Sequence, residues 1–173
     1  MADDYRGVVG AFPYAFRASD SLLFRSYVAL GGLLTVAVSL LFIAAVVGVI
    51  AGTTGGRGGS LTLSRSFFAV VGLFVVVPLV APVLFVARRH RRARERGDAV
   101  AGPYDAALAA GGYLFVFALY VGLVISVPPA QQTTPTGALA PLIAGLYGLP
   151  QLVGVVPPLL AAAVILLAHR SLR

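Results

Sequence analysis

The stretch FVARRHRRARERGDAV, residues 85–100, sets six arginines in nine positions directly behind uninterrupted hydrocarbon. A guanidinium is a permanent cation whose fixed donors match carboxylate and phosphate oxygens. Arg88, Arg92 and Arg96 share one helical face by i,i+4 spacing, with Arg89 and Arg91 beside them. These five are candidate contacts for anionic lipid headgroups, each worth about 1 kcal/mol at ordinary salt. The same charges also suit a helix C-terminus, which carries the negative end of the helix dipole. The net charge of +7 would point to nucleic acid in a soluble protein. Here no aromatics interleave with the arginines to stack bases, so nucleic acid is not an expected partner.

The other ionisable groups are sparse. His90 and His169 lie in basic stretches and read as solvated side chains, and Asp3, Asp4, Asp20, Glu95, Asp98 and Asp105 are scattered over termini and loops. They form no HExxH or zinc-ligand pattern, and the chain has no GxSxG or GxxxxGK[ST] motif. Without cysteine there is no disulfide, thiolate metal site or thiol nucleophile. The expectation is a protein that is not an enzyme and carries no metal or cofactor.

What positions these groups is a chain that is 59% hydrophobic and only 11% charged. A soluble domain carries roughly 25% charged residues. Four segments reach the roughly 20 apolar residues that cross a bilayer, at about 27–51, 66–87, 106–127 and 149–168. The fold class expected is all-α: a polytopic membrane protein with four transmembrane helices over 27–173. Residues 1–26 precede it as an N-terminal interfacial segment. There Phe12, Tyr14, Phe16 and Phe24 interleave with Arg17 and Arg25, Pro13 is expected to split the segment, and Ser19 or Asp20 to cap the first span. Gly97 is placed to stop the helix bearing the arginines, and Asp105 lies near the positive end of the third span.

The fourth segment is interrupted by Pro141, Pro150, Pro157 and Pro158. The Pro157-Pro158 pair is expected to kink the last span. Residues 137–148 are then a short interfacial or re-entrant piece, the alternative being one long broken helix from Leu139 onward.

Orientation follows from the arginines. With both termini and the 88–105 loop on one side, that side holds eleven of thirteen, and by the positive-inside rule it is cytoplasmic. The expected location is the cell membrane, multi-pass, with N- and C-termini cytoplasmic. No charged residue lies between the ends of the spans, which argues against a proton-coupled carrier. Small residues recur at four-residue spacing instead, at Ala44, Gly48 and Gly52 on the first span and at Ala118 and Gly122 on the third. Such rows let helices approach closely, within the bundle or across a homodimer seam. The expected function is an accessory or scaffold component contacting membrane lipid, another membrane protein or a second copy of itself. The alternative is a small channel or transporter built on the Pro-broken fourth segment.

Through YRGVVGAFPYAFRASDSLLFRSYV, LSRSFF and APVLFVARRHRR, the chain resembles a family of small integral membrane proteins of halophilic archaea without an assigned activity. The resemblance implies a membrane setting at molar salt and carries no functional residue across. At that salt the Debye length falls to about 3 Å, leaving the arginines only direct guanidinium–phosphate contacts.

Overall fold

The computed structural model describes residues 7–51, 58–98, 100 and 102–172. Among these residues six α-helices follow one another: α1 (Gly7–Ala18), α2 (Leu22–Ala51), α3 (Gly58–Arg96), α4 (Gly102–Ile125), α5 (Ala140–Tyr147) and α6 (Val156–Ser171). Short 3-10 turns at Pro129–Gln131 and Gln151–Val155 flank α5, and no strand occurs among the described residues. Four stretches, Leu22–Ala51, Ala69–Arg96, Gly102–Ile125 and Gln151–Ser171, are long and apolar enough to cross a membrane. The architecture is therefore all-α with four candidate spans.

Local chemistry explains the boundaries. The Ser21 hydroxyl accepts the Phe24 N–H at 3.3 Å, while Ser19 Oγ accepts the Ser21 N–H at 3.2 Å. Ser21 thus caps α2, rather than Ser19 or Asp20, because the residue immediately before a helix best reaches the third orphan donor. Pro13 does not split α1, which runs through it from Gly7 to Ala18. One proline removes a single hydrogen bond, and the buried Ala11 and Ala15 hold the turns on either side in the core.

The last span departs from the expected kink. Pro157 and Pro158 sit in the first turn of α6, and the Gln151–Val155 turn leads straight into it. First-turn N–H groups lack an intrahelical acceptor, so proline starts a helix there without loss. Residues 140–147 form a separate helix that ends at Gly148, two residues before Pro150, so no single helix continues from Leu139.

Successive spans pack antiparallel. The Tyr27 hydroxyl donates to the Leu79 carbonyl at 2.7 Å, and Phe42 lies against Gly72 farther along α2 and back along α3. His90 at the end of α3 meets Asp105 at the start of α4. Gly111 then packs on Ile165, and Gly122 on Gly154 and Pro158. α4 touches α2, α3 and α6 and is the hub of the bundle. Around it Tyr27, Leu79, Val83, Val86, Leu108, Phe115 and Ile165 are buried in one cluster.

At the crossing of α4 with the Gln151–Val155 turn, a Cβ on Gly122 would strike the Gly154 carbonyl, and one on Gly154 would strike Gly122 in return. Only paired glycines let the two backbones meet. Ala118, one turn earlier, is also buried. On α2, by contrast, Ala44 and Gly48 are exposed and nothing lies within 4 Å of a Cβ on Gly48. Gly52 lies outside the described residues.

Candidate functional site

The antiparallel path gathers α1, the C-terminal ends of α3 and α6 and the N-terminal end of α4 at one basic end. α3 carries its arginines there as continuous helix to Arg96, well past the end of its apolar run. Gly97, at φ +74°, then closes it. Its N–H donates to the Arg94 carbonyl at 3.3 Å and the Asp98 N–H to the Ala93 carbonyl at 2.9 Å. This pair of bonds around a left-handed residue is the Schellman arrangement, and it satisfies carbonyls that would otherwise be orphaned.

Two polar pairs tie the end together. His90 Nε2 lies 2.8 Å from Asp105 Oδ2, joining α3 to α4. Asp105 is only 2% exposed, and its second oxygen, Oδ1, is buried without a hydrogen-bond partner among the described residues. The Tyr104 hydroxyl lies 2.5 Å from His169 Nδ1, joining α4 to α6. The His169 ring stacks on Phe85 with centroids 3.9 Å apart and planes 6° from parallel, which brings in α3 again. Arg89 completes the set: its guanidinium sits 4.0 Å over the Tyr104 ring and donates to the Leu172 carbonyl. A cation over an aromatic face is attracted by the ring quadrupole.

Two clefts flank the end of α3. One, of about 490 Å³, lies between α1 and α3 and is lined by Tyr14, Arg17, His90, Arg94 and Asp98 among others. The other, of about 430 Å³, lies between α3 and α6 and is lined by Phe85, Arg88, Arg89, Arg92, Arg96 and His169, with Asp98 at the same wall. Among the described residues neither cleft is lined by Ser, Thr or Cys. The Asp105–His90 pair can orient an imidazole towards the first cleft, where Tyr14 carries the one hydroxyl among the described lining residues. The second cleft can offer several guanidinium donors to an anion.

The structure thus brings Arg88, Arg89, Arg92 and Arg96 to one cavity. Arg91 does not line it; its Nε is 3.9 Å from Glu95 on the next turn. Of the small residues, Gly122 packs against Gly154 and Pro158 and Ala118 is buried, whereas Ala44 and Gly48 face outward. The histidines, Tyr104, Asp105 and Phe85 went unnoticed as a group in the sequence. Their partners are 15 residues apart for His90 with Asp105 and 65 for Tyr104 with His169. A signal existed: in an up-and-down bundle the ends of the second and fourth spans and the start of the third share one end, and each carries an ionisable or aromatic polar residue.

The chain belongs to the family described as Domain of unknown function (DUF8056), whose model matches residues 1–173. No curated protein and no solved structure matches it.

Proposed function

We propose that this is a non-enzymatic component of the cell membrane, an accessory or scaffold protein that contacts other membrane helices or lipid through the outward side of α2. One observation carries the reading: α2 is the most apolar of the four candidate spans, yet none of its most apolar stretch is buried inside the protein. Its exposed Ala44 and Gly48 give a neighbouring helix a place to approach closely. Both termini face the cytoplasm in this reading, which the eleven arginines at one side support. The resemblance to membrane proteins of halophilic archaea supports an archaeal source.

Purification in native-lipid nanodiscs with mass spectrometry tests it. The expected result is a second protein, or a second copy of this chain, at stoichiometric ratio, lost on Gly48→Leu. Retention of lipid and single chains alone sinks the scaffold reading. The orientation is tested separately: a cysteine at Thr134 should label with an impermeant maleimide from outside intact cells and one at Ala93 should not. A small channel or transporter is the second reading, favoured by the break between α5 and α6. Pro157→Ala with Pro158→Ala should then alter liposome flux. The close Gly122–Gly154 contact weighs against it, because it fills the space beside that break.

A further inference from the structure

We propose that the cleft between α3 and α6 is a binding site for the phosphate-bearing headgroup of an anionic lipid, with Arg88, Arg92 and Arg96 as the phosphate ligands and Arg89 as the fixed wall. The proposal rests on the membrane reading above and adds a site to it. Arg88, Arg92 and Arg96 follow one another along one helix face, all three exposed, and no carboxylate pairs with them among the described residues. Arg89 is already held by the Tyr104 ring and the Leu172 carbonyl, so its charge is in place before any ligand arrives. Asp98 is the one carboxylate among the described lining residues, against four arginines in the same lining.

Size and surroundings select the ligand. A cleft of about 430 Å³ is far larger than a bare phosphate needs. The Phe85–His169 stack forms one side of it, at the border between the apolar part of α3 and the arginines. On α6 the stripe Leu159, Ala162, Leu166, His169 runs at i+3, i+4, i+3 spacing into the cleft, and Leu159 and Leu166 are exposed. A charged cleft at the head of an exposed apolar stripe matches an amphiphile, with its phosphate among the guanidinium groups and its chains along α6. Bidentate guanidinium–phosphate bonds are direct contacts, so the site retains its ligand at salt concentrations that erase long-range attraction.

The test is native mass spectrometry of the full chain in detergent, titrated with phosphatidylglycerol, phosphatidylcholine or sodium pyrophosphate at low and at molar salt. Phosphatidylglycerol should be retained over phosphatidylcholine at both salts. The R92Q/R96Q variant should weaken that retention about thirtyfold, each guanidinium being worth about fivefold. The R91Q/R94Q variant loses the same charge from the same helix end and should change it less than about threefold on the same scale. Equal losses in the two variants would show diffuse charge instead of a site and overturn the proposal. Equal retention of the two lipids would also overturn it, as would pyrophosphate displacing phosphatidylglycerol, which would assign the cleft to a soluble anion. Partner capture through Gly48 is read in a separate experiment on α2, so either idea can fail alone.

Discussion

Ala44 and Gly48 on α2 have the same spacing as Ala118 and Gly122 on α4, yet the first pair faces outward and the second is buried, Gly122 against the approach to α6. The two helices differ in the same sense as wholes: none of the most apolar stretch of α2 is buried, against 44% of that of α4. Small residues permit close approach, but they do not attract. What fixes α4 at the centre is a matching glycine, Gly154, on the opposing backbone, together with glycines that admit the Tyr27 ring and Ile165. Apolarity does not rank burial here either, since lipid tails solvate a leucine as well as a protein interior does.

The contrast can be broken at its strongest point by Gly122→Leu. The new side chain meets the Gly154 carbonyl, a backbone atom that cannot swing aside, and the expected loss is about 3 kcal/mol, at the upper end of overpacking. Unfolding in mild detergent should show it as a large fall in midpoint, and an unchanged midpoint would remove α4 from the centre. Asp105→Ala comes next. It leaves His90 without its carboxylate in a nearly buried setting, for a loss of about 2 kcal/mol. Asp105→Asn, which keeps an acceptor, should recover about half of that by the same measurement. Gly48→Leu should be smallest, within about 0.5 kcal/mol of the parent, because nothing lies within 4 Å of the added Cβ. A large loss there would mean that α2 is packed on its outer side after all.

Hydropathy and turn residues make the spans legible. Long apolar runs separated by Gly- and Pro-rich stretches leave little choice of helix, and the Gly97 stop follows from its place behind the arginines. The arginine row is legible too, since i,i+4 spacing alone puts Arg88, Arg92 and Arg96 on one face. Rotation of each helix about its axis is not legible, because every face of an apolar span can meet either lipid or protein. That is why the two rows of small residues looked alike, why His90 and His169 looked like solvated side chains, and why Asp105 looked like a helix-end charge. Their pairing depends on which way α4 turns its first residues. The proline pair misled for a different reason: Pro157 and Pro158 break a helix that has begun but suit one that is beginning, and only the position of the preceding 3-10 turn decides between them.

The capped extension of α3 also sets a scale of depth. At 1.5 Å per residue, Arg88, Arg92 and Arg96 stand about 6 Å apart along the axis. A helix that crosses a bilayer responds to bilayer thickness by tilting or by shifting its anchors. This row spreads its guanidinium groups over about 12 Å of one rigid rod, so a bound phosphate can ride higher or lower along the row as the leaflet thickens or thins, without any change in the fold.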